Sequence, residues 1–96
     1  MNIVILGAGQ VGSELSQILA EEHDVTLIDI NEEKLQKISD HNDLRTICGN
    51  CCFPRTLESA DIASADLAVA MTQWDEVNMV ACQMIKLNII FLIYQG

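Results

Sequence analysis

The chain has 96 residues, half of them hydrophobic, and its 14 acidic residues against five basic ones give a formal net charge of −9. This length accommodates one small domain with one core, over residues 1–96, and leaves no room for a separate substrate domain. Because binding along a nucleic-acid backbone needs a basic surface, the acidic balance argues against DNA or RNA as a partner.

Short apolar blocks alternate with longer amphipathic blocks, a pattern typical of β-α-β units with a parallel sheet. Right-handed crossovers then place helices on both faces, so we expect an α/β fold: a Rossmann-type, doubly wound, three-layer sheet of about five strands. The strands are predicted at Asn2 to Leu6, Asp24 to Asp29, Leu44 to Ile47, Asp66 to Ala70 and Asn88 to Tyr94.

The segments between the strands are predicted to be helices. The apolar residues of the first helix recur at helical spacing and are expected to pack on the sheet. Asn31 is a good N-cap for the second helix, and Thr72 with Asp75 three residues later resembles a capping arrangement for the fourth. The helices are placed at Gln10 to Glu21, Asn31 to Asp40, Pro54 to about Ala60, and from the cap at Thr72 to about Lys86; the apolar face of the first consists of Val11, Leu15, Ile18 and Leu19.

The chain starts directly with an apolar strand, without the basic stretch and long apolar segment of a signal peptide. The apolar run from Ile89 to Tyr94 is far shorter than the roughly 18 residues needed to cross a bilayer. We therefore expect a cytoplasmic domain with no direct membrane insertion.

A glycine-rich segment with the spacing G-x-G-x-x-G follows the first strand and opens the first helix, which is the context that the dinucleotide-binding motif requires. Gly7 is suited to a tight turn, Gly9 to close approach of a pyrophosphate, and Gly12 to close packing of helix on strand. The N–H groups at the start of the helix would then bind the anion. An ordinary tight turn is the alternative. The predicted ligand-binding residues here are Gly7, Ala8, Gly9, Gln10, Val11 and Gly12.

Asp29 ends the second strand, 22 positions after Gly7. A carboxylate there can accept hydrogen bonds from both hydroxyls of an adenosine ribose and would repel a 2′-phosphate, which favours NAD over NADP. A solvated strand end is the alternative. The loops after the third and fourth strands form the other walls of the crevice in such sheets and are expected to contact the adenine and the ribose, with plain turn and cap chemistry as the alternative. The residues predicted beside the ligand are Asp29, Ile30, Gly49, Asn50, Thr72 and Gln73.

Catalytic residues and a metal site are not expected. A dehydrogenase needs a proton donor or acceptor beside the nicotinamide, and His23 and His41 fall at solvated positions away from the crevice. Cys48 and Cys51 have the C-x-x-C spacing, but a zinc site needs a second ligand pair, so reduced, packed cysteines are favoured. A redox-active pair at Cys51 and Cys52 is the alternative.

Several runs, at residues 1–12, 25–29, 43–50 and 54–82, resemble the amino-terminal domain of TrkA-type potassium-uptake regulators, the KTN or RCK class of Rossmann domains. The segment from Thr72 to Asn78 is more specific than the glycines. The resemblance implies a regulatory subunit rather than an enzyme, one that senses NAD, NADH or an adenine nucleotide such as ATP or ADP. It implies a position at the inner face of the membrane, a membrane potassium transporter as partner, and homodimers or higher homo-oligomers.

The likeness covers Met1 to about Gln83, and beyond it the basic strand of the family is missing. We therefore expect a domain that is irregular or truncated after about residue 84. A cofactor-binding fragment of an NAD-dependent dehydrogenase remains an alternative, as does a nonbinding remnant that only dimerises. The resemblance suggests that the subunits meet through the apolar face formed by Val77, Val80, Ala81 and Met84.

Overall fold

The computed structural model describes residues 1–85 and 90–93. Strands and helices alternate along the chain, with a short 3-10 helix at Ile62–Ser64 after the third α-helix. The strands are β1 Asn2–Leu6, β2 Asp24–Asp29, β3 Arg45–Cys48, β4 Leu67–Ala70 and β5 Ile90–Ile93, and the helices are α1 Gln10–Leu19, α2 Glu32–Ser39, α3 Pro54–Ser59 and α4 Asp75–Ile85.

The five strands form one sheet in the order β3-β2-β1-β4-β5, and every neighbouring pair is parallel. The central residue Ile5 pairs with Leu27 of β2 on one side and with Val69 of β4 on the other. The connections that follow β1 and β3 therefore lead to opposite sides of β1, and they leave a crevice at the carboxyl ends of the strands. The predicted doubly wound α/β fold is confirmed.

Helices cover both faces of the sheet because the side chains of β1 alternate between the faces. Ile3 and Ile5 lie in the core cluster shared with α1 and α2, whereas Val4 and Leu6 lie in the cluster shared with α3 and α4. All four side chains are at most 2% exposed. Burial of each contributes about 1.5–3 kcal/mol, so β1 anchors the glycine turn that follows it.

Most element positions agree with the sequence-based prediction, with shifts of a few residues at the ends. β1 and β2 have the predicted bounds, β3 begins and ends one residue later, and β4 begins at Leu67 instead of Asp66. β5 falls inside the predicted Asn88 to Tyr94, of which residues 88, 89 and 94 lie outside the described part. The side chain of Asn31 caps α2 by accepting from the Lys34 N–H at 3.1 Å, as predicted.

The predicted inward face of α1 was partly wrong. Val11 is 54% exposed and Ile18 is 65% exposed, whereas Gly12 and Ser16 are buried against the sheet. The buried stripe is centred on Gly12 and Ser16 because the close approach of helix and strand requires a glycine and a small side chain. Leu15 and Leu19 pack against the core beside this stripe, as predicted, whereas Val11 and Ile18 face outward.

One expectation for α4 was wrong, and a second holds only in part. Thr72 does not cap the helix, because its hydroxyl lies 2.6 Å from Asn78 Oδ1 and the helix begins only at Asp75. Ala81 is fully buried in the core of this chain, and Val77 and Met84 pack against the same core. Ala81 is therefore inaccessible to a second subunit, whereas Val80 is 50% exposed and Val77 and Met84 are half-buried.

Candidate functional site

The glycine turn requires two of its glycines for different steric reasons. Gly7 has a φ of +111°, which favours glycine, and a Cβ there would lie 2.8 Å from the backbone of Met71 and Thr72. A Cβ at Gly12 would overlap the carbonyl oxygen of Gly7. The turn thus packs backbone against backbone between the end of β1, the end of β4 and the start of α1.

Gly9 opens the start of α1 to a ligand. It is the N-cap residue in extended conformation, no side chain caps the helix, and the first turn carries no acidic residue. A Cβ at Gly9 would meet nothing within 4 Å among the described residues. When no side chain accepts from the N–H groups at the start of a helix, these groups form a site for an anion. Here they face open space.

Asp29 links the end of β2 to the glycine turn. Its Oδ2 accepts from the Ala8 N–H at 3.0 Å, and its Oδ1 accepts from the N–H groups of Ile30 at 2.7 Å and Asn31 at 3.3 Å. The carboxylate is half-buried, and it still has lone-pair capacity for a hydroxyl donor because Oδ2 accepts one bond. Asp29 is therefore not a freely solvated strand end; it holds the Ala8 amide in place and keeps room for a ligand.

These features line one cavity of about 460 Å³ at the carboxyl ends of the strands. Its size is in the range of small-molecule pockets. Eleven of the twelve residues predicted as ligand-binding lie along it, and Gly12 lies behind it, on the buried face of α1. The eleven are Gly7, Ala8, Gly9, Gln10, Val11, Asp29, Ile30, Gly49, Asn50, Thr72 and Gln73.

The loop after β3 forms one wall and is stabilised by turn chemistry. The Oδ1 of Asn50 accepts from the Cys52 N–H at 2.8 Å, and the Gly49 N–H donates to the Asp29 carbonyl at 2.9 Å. A Cβ at Gly49 would lie 2.9 Å from Thr56 Oγ1. The Asn50 side-chain oxygen therefore stabilises the turn, which was the alternative interpretation of this loop. The backbone of the same loop lines the cavity.

The opposite wall of the cavity follows β4. It is held from behind by Asn78, a residue that was not predicted as part of the site. Thr72 and Gln73 line the cavity, with Trp74 and Val77 beside them. Thr72 is held by the buried amide of Asn78 on α4. The available sequence signal for Asn78 was an uncharged polar residue within the apolar stripe of an amphipathic helix.

The charge in the cavity is balanced. Asp29 and Lys34 are the charged side chains among the described residues that line it. Lys34 lies in the first turn of α2 beside Asn31, a position from which a long cation reaches the same crevice. From the sequence, Lys34 is the nearest cation after Asp29 and is expected inside the second helix; the structure brings it to the crevice because the N-cap at Asn31 places it one turn into a helix that starts there.

The cysteines of this region are thiols in a poor position for redox chemistry. Cys51 lines the cavity and is 6% exposed, and burial, followed by the neighbouring Cys52, raises the pKa of its thiol from 9.0 to about 12. Because the thiolate is the reactive form, Cys51 is unreactive at neutral pH. All four cysteines are free. The redox-pair alternative is therefore disfavoured.

The other candidate groups lie away from the cavity. His23 is at the amino end of the sheet, where its Nδ1 lies 3.3 Å from the amino group of Met1. Within residues 1–85 and 90–93, His, Cys, Asp and Glu side chains form no group of three that could hold a metal ion. The same part of the chain contains no helix long and apolar enough to cross a membrane. In the described part of the chain, the cavity offers backbone amides, one carboxylate and one cation, which are groups that can bind a polar, anionic ligand.

A parallel sheet in this order, with a glycine turn leading into α1 and an acidic residue at the end of β2, defines a Rossmann-type nucleotide-binding fold. The chain belongs to the TrkA-N domain family, whose profile matches residues 3–93. The match continues past Gln83, where the sequence analysis had placed the end of the resemblance, and it includes β5.

Similar proteins agree with this family. The Trk system potassium uptake protein TrkA of Haemophilus influenzae is 48% identical over 85 residues, which are 88% of this chain and 19% of that protein. The TrkA-N domain of the inner membrane protein ybaL from Escherichia coli has the same fold with a TM-score of 0.84 at 16% identity, over 98% of this chain and 73% of the other. The Kef carboxyl-terminal domain of Shewanella denitrificans, in AMP-bound form, has a TM-score of 0.77 at 14% identity, over 97% of this chain and 58% of the other. The chain thus spans about a fifth of the length of the TrkA relative.

Proposed function

We propose that this chain is an NAD(H)-binding regulatory domain of a Trk-type potassium uptake system. The observation that carries the proposal is the convergence on one cavity of the open start of α1, the glycine turn and the Asp29 carboxylate. The helix start binds the pyrophosphate, and Asp29 binds the adenosine ribose. Gly49 and Asn50 lie on the adenine side, and Thr72 and Gln73 lie beyond the pyrophosphate.

NAD or NADH is favoured over NADP as the ligand. A 2′-phosphate beside Asp29 would place two anions within a few ångströms, and Lys34, the one cation that lines the cavity in the described part of the chain, would have to neutralise both. An adenine nucleotide such as ATP, ADP or AMP uses the same ribose and phosphate contacts and is the alternative ligand. The AMP in the Kef domain, which shares the fold, supports that alternative.

Nucleotide occupancy would regulate a membrane transporter only if the nucleotide binds two conformations with different affinity. The relative named as a potassium uptake protein supports a membrane potassium transporter as the partner. We place the domain in the cytoplasm at the inner face of the membrane, as a homodimer or higher homo-oligomer. Regulation is favoured over dehydrogenase activity because the cavity holds no histidine and its Cys51 is protonated at neutral pH.

Calorimetric titration of the chain with NAD, NADH, NADP and ATP tests the ligand. We expect NAD or NADH to bind, NADP to bind at least tenfold more weakly, and Asp29→Asn to weaken NAD binding by about tenfold, since a hydrogen bond to a charged group contributes about 1.5–3 kcal/mol. Asp66→Asn is the matched control, because Asp66 Oδ2 accepts from the Asn2 N–H at 2.7 Å at the other end of the sheet. If no nucleotide binds, or if both variants behave alike, the proposed site is wrong.

The partner is tested on the full-length parent protein. We expect it to copurify with a potassium transporter from detergent-solubilised membranes, and we expect the added nucleotide to change potassium uptake by that transporter. If the parent protein associates with no potassium transporter, the regulatory proposal is refuted even where the nucleotide binds. Sedimentation of the 96-residue chain measures the oligomeric state separately.

A further inference from the structure

Asn78 is a polar side chain in an otherwise apolar contact. It lies on the face of α4 that packs against the sheet, it is 0% exposed, and the buried residues that follow on this face are Ala81, Cys82 and Ile85. Burying an amide without partners costs several kcal/mol, so its hydrogen bonds decide whether this position is tolerated.

Among the described residues, Thr72 is the partner in all three hydrogen bonds of this side-chain amide. Asn78 Oδ1 accepts from the Thr72 N–H at 3.0 Å and from the Thr72 hydroxyl at 2.6 Å, and Asn78 Nδ2 donates to the Thr72 carbonyl at 3.0 Å. The side chain therefore satisfies both backbone groups and the hydroxyl of Thr72. The amide thus bonds to the backbone N–H and carbonyl of Thr72 as the backbone of a neighbouring strand would, at the point where β4 has ended.

Thr72 is also the residue that touches the glycine turn. A Cβ at Gly7 would lie 2.8 Å from the Thr72 nitrogen, and the Met71 N–H donates to the Leu6 carbonyl at 2.7 Å. The wall after β4 and the turn after β1 therefore lie backbone to backbone. A shift of Thr72 changes the width of the cavity at this end.

We propose that Asn78 is a positioning residue of the ligand site, which fixes the wall at Thr72 and Gln73 for the half of a dinucleotide that lies beyond the pyrophosphate. This inference rests on the proposed function. The cavity extends from Asp29 and the loop after β3, across the glycine turn, to the wall after β4. When the adenosine half occupies the Asp29 end, the second nucleotide lies along Thr72. The amide therefore controls the affinity for a dinucleotide and leaves the affinity for a mononucleotide unchanged.

The test is calorimetry of Asn78→Asp with NAD and with AMP, on samples shown to be folded by circular dichroism. The substitution keeps the shape and the Oδ1 acceptor and removes the donor to the Thr72 carbonyl. We expect the Kd of NAD to rise about tenfold and the Kd of AMP to change by less than about threefold. Asn42→Asp is the matched control, because Asn42 Nδ2 donates to the Ile38 carbonyl at 2.9 Å beyond the end of α2, far from the cavity. It should leave both affinities unchanged.

If the role of Asn78 were merely structural, Asn78→Asp would lower the free energy of unfolding and leave the ratio of the NAD and AMP affinities constant. Equal weakening of NAD and AMP, or an unchanged NAD affinity, overturns the inference while the proposed function stands. If the unsubstituted chain binds neither nucleotide, both are overturned. If Asn78→Asp does not fold, Asn78→Ser decides on the same criterion, because it adds no charge and supplies one hydroxyl in place of the amide.

Discussion

Alanine substitutions at Gly12 and Gly9 are expected to separate the two functions of the glycine turn. In the interior of a helix, glycine to alanine normally stabilises by about 1 kcal/mol. At Gly12 the new Cβ would overlap the Gly7 carbonyl oxygen, and the obstacle is backbone that a side-chain rotation cannot relieve. Overpacking of this kind costs about 1–3 kcal/mol, and rigid backbone places Gly12→Ala at the upper end.

About 3 kcal/mol of overpacking less about 1 kcal/mol of helix propensity leaves a loss of about 2 kcal/mol in the free energy of unfolding for Gly12→Ala, which for a domain of this size lowers Tm by roughly 8–16 °C. Gly9→Ala places its Cβ in open space at a φ of −69° that alanine adopts, so its stability should fall by about 1 kcal/mol or less. The new methyl group faces the cavity, so Gly9→Ala should instead weaken NAD binding. Urea denaturation and calorimetry measure the two effects. A Gly12→Ala variant as stable as the parent chain would refute the packing of α1 on the turn.

Three further predictions concern the core, a helix cap and a thiol. Ile5→Ala should cost about 2–5 kcal/mol because Ile5 is 0% exposed, whereas Ile18→Ala should cost less than about 0.5 kcal/mol because Ile18 is 65% exposed; equal losses in urea denaturation would contradict the outward orientation of Ile18. Asn31→Ala should lower the free energy of unfolding by about 1 kcal/mol and Asn31→Asp by much less, since aspartate retains the cap to the Lys34 N–H; similar losses would show that the cap is not formed. Burial raises the pKa of Cys51 to about 12 from 9.0 in the unfolded chain, so its contribution to stability is full below pH 9 and is lost as the pH rises towards 12. Cys51→Ala should flatten the decline of stability above pH 9, and an unchanged slope would contradict the burial of this thiol.

The fold followed from patterns that the sequence displays locally. Apolar strands with parallel-sheet spacing, the glycines after β1 and the acidic residue at the end of β2 indicate a Rossmann-type domain, because each reflects a local steric or hydrogen-bonding need. Eleven of the residues that line the cavity were predicted for the same reason. Parallel strands place their carboxyl-end loops at one edge, so Asp29, Asn50 and Thr72 meet there although they are far apart in sequence.

The errors came from packing that no periodic pattern encodes. Hydrophobicity alone placed Val11 and Ile18 on the sheet, but the closest contact needs small residues, and Gly12 and Ser16 occupy it. A threonine before a helix usually caps it, yet Thr72 bonds to Asn78 instead, a tertiary contact that depends on where α4 crosses the sheet. These contacts depend on distances between elements, which composition and spacing do not specify.

The central claim is that a dinucleotide occupies the cavity at the carboxyl ends of the strands, and amide NMR of the isotope-labelled chain during an NAD titration tests it most directly. The amide signals of Gly9, Gln10, Asn50 and Gln73 should shift with one common Kd, because these residues line the cavity. The signals at the amino end of the sheet, such as that of Asp24, should stay in place. An NAD titration that shifts no cavity amide, or that shifts only amides at the amino end, would contradict the claim.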